Sequence, residues 1–273
     1  MAKMGTVWDR TAAFVGERAG VLLPLAIVVF LVPGAIGTCL QLVAATSSVP
    51  IRWGLGALVL LLSLPTIWGS LAVIGLATGE SGIAAAGGLA TRRLLATVIV
   101  SVALGVAAIA LALPVPIILA LRGYDVAALS AGRAGNVVVD PQTSAMVALY
   151  MLALIPVLLF AFTRLLLVSP VVLREAVLFG AIRRSWVLTR RHGWRIFGTL
   201  LLFGVIGGVA QLAAQTVFGS VFTLWFGAGE GLTTAFVLTT IATGSVMAVV
   251  QLLLAAFQGK LYAALALDSA WPA

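Results

Sequence analysis

The chain carries little charge and few of the residues that build catalytic centres. Of its 273 residues only 9% are charged, against about 25% in ordinary soluble domains. It holds one histidine, His192, and eight acidic residues scattered along its length. These residues cannot assemble a zinc site or a serine–histidine–aspartate triad, and no nucleotide-binding loop ending in Gly-Lys-Ser or Gly-Lys-Thr occurs. The sequence therefore predicts a non-enzymatic protein without a metal or cofactor.

Cysteine is equally scarce. Cys39 is the only one, so an intrachain disulfide is excluded, and we interpret this residue as a small buried filler. It lies in an apolar run from residue 19 to about residue 45 that follows a segment of mixed charge. That run is too long for the apolar core of a secretion signal. We expect it to be retained as the first membrane helix.

Apolar residues are abundant instead, at 62% of the chain. A bilayer core about 30 Å thick needs about 20 helical residues to cross it, and runs of that length recur. They do not alternate polar and apolar residues as barrel strands would. The sequence predicts an all-α polytopic membrane protein, one domain over 1–273, with six transmembrane helices at about 20–44, 54–78, 94–121, 144–171, 195–222 and 232–264.

The positive charges are divided unequally between the two sides of this bundle. One side collects twelve of them: Lys3, Arg10, Arg18, Arg92, Arg93, Arg174, Arg183, Arg184, Arg190, Arg191, Arg195 and Lys260. The other side holds three, which are Arg52, Arg122 and Arg133. The positive-inside rule then places both termini and the long basic loop in the cytoplasm. The net charge of +8 comes from these membrane-flanking groups, so we expect no nucleic-acid partner.

Each odd-numbered span follows a segment that ends in charge, which suggests a threefold repeat. The units would be 1–78, 79–173 and 174–273, each a surface segment followed by a helical hairpin. In the first segment one helix side is mainly apolar: Met4, Val7, Trp8, Thr11 and Val15. The middle segment, 81–93, is mostly alanine and glycine with little contrast between its sides. We expect interfacial amphipathic helices on the cytoplasmic side.

The third surface segment has the clearest pattern. Its arginines fall within one helix sector of about 120°; they are Arg183, Arg184, Arg190 and Arg191. Mainly apolar residues, Trp186 among them, occupy the opposing side. Such a helix is expected to lie in the membrane interface with its arginines toward anionic phospholipid headgroups. The sequence thus predicts membrane lipids as partners.

Part of this region carries a family resemblance. It comprises Arg164 to Glu175, read as RLLLVSPVVLRE, then Ala181 to Arg191, read as AIRRSWVLTRR, and Trp194. The pattern resembles the six-span membrane domain fused to some bacterial glycerophosphodiester phosphodiesterases, and its largely uncharacterised stand-alone relatives. The likeness is clearest over about 160–205. In the fused proteins the chemistry belongs to a separate soluble barrel, which this sequence lacks. The resemblance therefore implies a membrane domain and no phosphodiesterase activity.

A few polar or small residues inside the spans are candidate sites. Arg164 is the one formal charge well inside an apolar run. It could snorkel to the near surface or pair with Glu175 three helical turns on, or it could contact a lipid or ligand. Four glutamines form two same-face pairs, Gln211 with Gln215 and Gln251 with Gln258. They predict interhelical hydrogen bonds or, alternatively, a polar interior. Gly204 and Gly208 are expected to let another helix of the chain approach or, alternatively, a helix of a second copy in a dimer.

Three functions fit these features. The leading hypothesis is a multi-pass membrane protein whose cytoplasmic face engages anionic phospholipid, or a partner that acts on lipid. The glutamines and the prolines within spans favour, as a second hypothesis, a small-solute transporter or channel. The third is a scaffold or assembly factor for other membrane proteins. The sequence names neither the lipid nor a protein partner.

Overall fold

The protein is a bundle of helices. The computed structural model describes residues 4–126, 129, 139–175, 177–190, 192–227, 229 and 231–270, without the side chains of 267–270. All regular structure in these ranges is helical, and six of the helices there are long and apolar enough to cross a membrane. The predicted all-α polytopic fold is confirmed.

Ten helices are described, and consecutive helices are joined by fewer than ten residues, except the fifth and the sixth. They are α1 (Met4–Glu17), α2 (Ala19–Thr46), α3 (Val49–Ala77), α4 (Ile83–Ala112), α5 (Pro114–Leu121), α6 (Pro141–Leu165), α7 (Val168–Glu175), α8 (Gly180–Thr189), α9 (Gly193–Phe226) and α10 (Thr234–Ala270). The six spans are α2, α3, α4 with α5, α6 with α7, α9 and α10. Five of them begin within a few residues of the predicted positions.

The third span is longer than predicted. The segment 81–93, expected to be a separate surface segment, mostly lies inside α4, which runs without a break from Ile83 to Ala112. Its many alanines favour helix, and no proline interrupts it. The correction removes the middle surface helix, so the three predicted units differ in architecture: α1 and α8 are separate helices, whereas their middle counterpart is continuous with its span.

A π-helical turn, Ile27–Leu31, lies within the first span. The amide of Val32 donates to the carbonyl of Ile27, five residues back, and the following Pro33 has no amide hydrogen to offer. The wider turn presses Val29 against α3 at Gly69, where any added Cβ would collide with the Val29 side chain. Close contact between α2 and α3 therefore depends on this glycine.

Helix α1 lies against the bundle along one side. Val7, Thr11 and Phe14, at helical spacing, are buried and face α10, where the Lys260 ammonium lies 4.7 Å from the Phe14 ring centroid. Trp8 meets Phe203 of α9 edge to face at 5.4 Å. The predicted apolar side of α1 thus covers protein, with Phe14 as a member that the prediction omitted.

A small residue also allows α9 and α10 to pack closely, but it is not one of the two glycines that the sequence predicted. Gly207 faces Val250 of α10, and a Cβ there would lie 3.4 Å from both Val250 methyls. Gly204 and Gly208 are exposed and have nothing within 4 Å of an added Cβ. The prediction that this pair packs within the chain is wrong, because the pair lies on the outward side of α9.

On the less basic side of the bundle, the end of the third span contacts the start of the fourth. The Tyr124 hydroxyl accepts a hydrogen bond of 2.7 Å from the Asp140 amide, and the Tyr150 hydroxyl donates to the Leu111 carbonyl. Arg122 lies on this side, 3.2 Å from the Met146 sulfur. Arg133 falls outside the described residues. These contacts place the end of the third span beside the start of the fourth.

Helix α6 begins with a complete side-chain cap. The Asp140 carboxylate accepts hydrogen bonds from the amides of Gln142 at 3.1 Å and Thr143 at 3.0 Å, and from the Thr143 hydroxyl at 2.8 Å. Pro141 occupies the first helical turn, where no amide hydrogen is needed. The hydrogen bond from the Thr143 side chain, followed by those from the two amides, lowers the pKa of Asp140.

Because of this cap, the stability of the first turn of α6 depends on pH. Because the folded pKa lies below the ordinary value of about 4, the stabilisation is present above that value and is lost as the pH falls through the folded pKa. We expect Asp140→Ala to reduce hydrogen-exchange protection at the start of α6 at pH values above the folded pKa, and Asp140→Asn to keep most protection while removing the acid-side loss. Equal protection in Asp140→Ala and wild type would contradict this cap.

Candidate lipid-binding site at the basic face

The described part of the chain carries most of its cations on one side, here called the basic face. Its members are Arg10, Arg18, Arg92, Arg93, Arg174, Arg183, Arg184, Arg190, Arg195 and Lys260. Contacts between distant segments join this face: Arg174 pairs with Glu80, and Tyr262 bonds to Glu175. The helix ends that carry these charges are therefore neighbours in space.

Helix α8 lies across this face with one side buried. Ala181, Ser185, Leu188 and Thr189 are buried, and the Ser185 hydroxyl donates a 2.6 Å hydrogen bond to the Arg164 carbonyl at the end of α6. That bond satisfies a carbonyl that the helix end leaves free. The arrangement fixes the rotation of α8 and decides which of its arginines face outward.

The predicted arginine sector is only partly exposed. Arg183 and Arg190 are exposed, as expected for headgroup contacts. Arg184 is half-buried, and its Nε donates to the Glu175 carboxylate at 3.2 Å. Arg191 lies outside the described residues. Trp186, expected on the buried side, is 43% exposed, because Ser185 and Leu188 take the inward positions of this short helix.

Arg164 lies beneath α8 in an aromatic shell. Its guanidinium carbon is 4.9 Å from the Phe160 ring centroid and 5.5 Å from that of Trp186, and these rings meet edge to face. Gly193, the first residue of α9, closes the other side: a Cβ there would lie 3.2 Å from the guanidinium carbon and from Nη2. Three helices thus meet around one cation.

No acceptor satisfies that cation among the described residues. Arg164 Nε and Nη1 are both buried and have no hydrogen-bond partner there. The predicted partner, Glu175, is engaged elsewhere: it accepts from Arg184 and, at 3.1 Å, from the Tyr262 hydroxyl. The hypothesis of an Arg164–Glu175 pair is therefore wrong. A break between α6 and α7 ends the helical register that the hypothesis needed.

Arg174 forms a contrasting site on the same face. Its guanidinium donates to Glu80 at 2.7 Å, to the Thr78 hydroxyl at 2.8 Å and to the Gly75 carbonyl at 3.2 Å. All three acceptors belong to the end of α3 and the turn that follows it. Arg174 is therefore neutralised and fully engaged, and its role is to fasten α7 to α3.

The residues around the start of α9 add further unpaired polar groups. His192 Nδ1 is buried without a hydrogen-bond partner in the described part of the chain, one residue before the glycine that touches Arg164. Arg195 is exposed in the first turn of α9, beside Trp194, which is 84% exposed. Cations and tryptophans together are typical of a membrane–water boundary.

The four glutamines of the last two spans do not form the expected pairs. None of their side chains hydrogen-bonds to another described residue, so the predicted interhelical hydrogen bonds are absent from that part of the chain. Gln211 Oε1 is buried without a partner, Gln215 is exposed on the outside of α9, and Gln251 and Gln258 are half-buried in α10. The same-face geometry holds, but Gln215 does not line an interior.

The chemistry available at this face is that of hydrogen-bond donors and positive charge. The described residues contain no group of three or more potential metal ligands. Sequence reasoning identified the arginines, but it missed Gly193, His192, Tyr262 and the Arg174–Glu80 pair, whose roles come from contacts between distant segments. No protein-family model, no curated protein and no solved structure matches the chain. The family resemblance stays a prediction.

Proposed function

We propose that this is a non-enzymatic, multi-pass protein of the bacterial inner membrane that engages anionic phospholipid through its basic face. The observation that carries the proposal is the group of exposed cations on α8 and the start of α9. Arg183, Arg190 and Arg195 have no acidic partner among the described residues, whereas Arg184 does. Their charge is available to an anion from outside the protein.

The setting of these cations supports a lipid partner. Exposed apolar side chains surround them on α8 and the turn before it: Leu178, Phe179, Trp186 and Val187. A surface that presents arginines beside aromatic and aliphatic groups matches the boundary between headgroups and acyl chains. The excess of positive charge on this side further supports a cytoplasmic orientation, where anionic lipids give the leaflet a negative surface potential.

Replacing Arg183, Arg190 and Arg195 together by glutamine should test this proposal. Purified protein would be titrated with short-chain phosphatidylglycerol and with short-chain phosphatidylcholine. Each basic residue near an anionic surface contributes about 1 kcal/mol, so we expect the preference for phosphatidylglycerol to fall about tenfold or more. Added salt should weaken the preference of the wild type as well.

The matched control removes the same amount of charge from the opposite side, with Arg52, Arg122 and Arg133 replaced by glutamine. This variant should keep the wild-type preference. An unchanged preference in the first variant, or an equal loss in both, would refute the proposal, because neither result assigns lipid recognition to α8 and α9.

A further inference from the structure

We propose that Arg164 is the recessed receptor for a single phosphodiester group, that of an anionic phospholipid at the basic face. This inference rests on the proposed function and makes it specific. The exposed arginines attract many lipids weakly, whereas Arg164 would hold one lipid in a defined position.

The unmet hydrogen-bonding capacity of Arg164 is the first reason. A guanidinium is always charged and offers five N–H donors in its plane. Phe160 and Trp186 lie over the guanidinium at 4.9 Å and 5.5 Å, and cation–π contacts of this kind use the face of an aromatic ring. Nε and Nη1 are buried and have no acceptor among the described residues. The aromatic shell therefore positions the cation, and its buried donors still require oxygen atoms.

Arg174 has a purely structural role, and its hydrogen bonds can be compared with those of Arg164. Its donors reach a carboxylate, a hydroxyl and a carbonyl of the same chain. Arg164, on the same face, has an aromatic cage and no acidic partner among the described residues, since Glu175 is engaged by Arg184 and Tyr262. Arg164 is half-buried, and its Nε and Nη1 are buried and unpaired in that part of the chain. Buried donors without an acceptor are unfavourable, which favours an anion from outside the chain as their partner.

The donor geometry favours phosphate. The planar fork of a guanidinium matches two oxygens of a phosphate or carboxylate. His192 Nδ1 is also buried and has no partner in the part of the chain that the structure describes. His192 precedes the glycine in contact with Arg164, and its Nδ1 can offer or receive one further hydrogen bond. A phosphodiester has two free oxygens to meet these groups and bears a full negative charge.

The surroundings favour a lipid as the source of that phosphate. Phe160, which covers Arg164, is itself 47% exposed and belongs to a membrane span. The site therefore borders the hydrocarbon, where acyl chains can lie along α6. Trp186 covers the guanidinium from a short surface helix, and Gly193 contacts it from the start of α9.

Native mass spectrometry of the purified detergent-solubilised protein would test the proposal. The probe is phosphatidylglycerol, with phosphatidylcholine and glycerol 3-phosphate as competing arms. We expect one phosphatidylglycerol to be held by the wild type, and Arg164→Gln to weaken its binding about tenfold to a hundredfold, as loss of charge-assisted hydrogen bonds predicts. Gly193→Ala should weaken binding in the same direction but by less, since its methyl group would displace the guanidinium by a few tenths of an ångström.

Two variants serve as matched controls. Arg18 also lies beside an aromatic ring, 5.5 Å from the Phe14 centroid, so Arg18→Gln removes a comparable cation from the same face. Gly198→Ala adds the same methyl to α9 in open space. Both should retain the lipid as the wild type does.

The outcomes separate this inference from the function on which it rests. If Arg164→Gln and Gly193→Ala both hold the lipid normally while the triple variant at Arg183, Arg190 and Arg195 loses its preference, the Arg164 site is refuted and the proposed function stands. If the wild type does not prefer phosphatidylglycerol to phosphatidylcholine, both are refuted. Binding of glycerol 3-phosphate in preference to phosphatidylglycerol would overturn the lipid as ligand. Should Arg164→Gln fail to fold, Gly193→Ala decides.

Discussion

Replacing Gly259 with valine is expected to lower the free energy of unfolding by about 2 kcal/mol or more, in the range of severe overpacking. A Cβ at this position would lie 2.6 Å from the Ala77 Cβ and 3.1 Å from the Ile74 carbonyl oxygen. One of these groups is backbone, so α10 and α3 would have to separate. Unfolding followed by circular dichroism in mixed micelles of increasing denaturing detergent would measure the loss.

A compensating change makes this prediction specific. Gly259→Ala should destabilise less than valine does, and adding Ala77→Gly should restore part of the loss, because it removes the atom at 2.6 Å. Gly204→Ala and Gly208→Ala are the controls: both positions are open, so we expect unchanged or slightly higher stability. No rescue by Ala77→Gly would show that the contact between α3 and α10 is looser than the structure indicates.

Replacing Arg174 with glutamine is expected to cost about 1–3 kcal/mol, as charge-assisted hydrogen bonds of this kind do. The Arg174 and Glu80 side chains are 26% and 25% exposed, so water screens the pair only partly. The loss would also leave the Glu80 carboxylate without its cation and free one end of α7. The same unfolding titration should report the destabilisation.

A double-mutant cycle isolates the pair. Arg174→Gln and Glu80→Gln together should cost less than the sum of the two single changes, since each single change already breaks the same ion pair. Arg92→Gln is the control, because Arg92 is an exposed arginine on the same face. Strict additivity would mean that the two side chains do not stabilise each other.

The spans were predictable because apolar runs of membrane length leave little choice of structure. For the first span, prediction gave 20–44, and the structure has Ala19–Thr46. The start of the third span was not predictable in the same way: the alanines of 81–93 are compatible with a surface segment or with a longer helix. The break before α7 was equally hard to place. Pro170 indicates that the helix is interrupted, but it does not indicate the residue at which the next helix begins.

The contacts of the candidate site were harder to predict from the sequence than the spans were. Helical periodicity placed Arg183 and Arg190 outward on α8, and both are exposed. It could not show that Arg184 would meet Glu175, because that contact depends on how α7 and α8 fold back on each other. Nor could it pair Arg174 with Glu80, 94 residues away. Contacts between distant segments follow from three-dimensional packing, which local periodicity does not contain.

The two acid–base contacts of α7 involve consecutive residues of opposite sign, Arg174 and Glu175. A slip of the helix by one residue in one direction would bring Glu175 to Glu80, and a slip in the other would bring Arg174 to Arg184. Either displacement replaces attraction with repulsion between like charges. The two ion pairs therefore fix the rotation of α7 about its own axis, which apolar packing alone would not do.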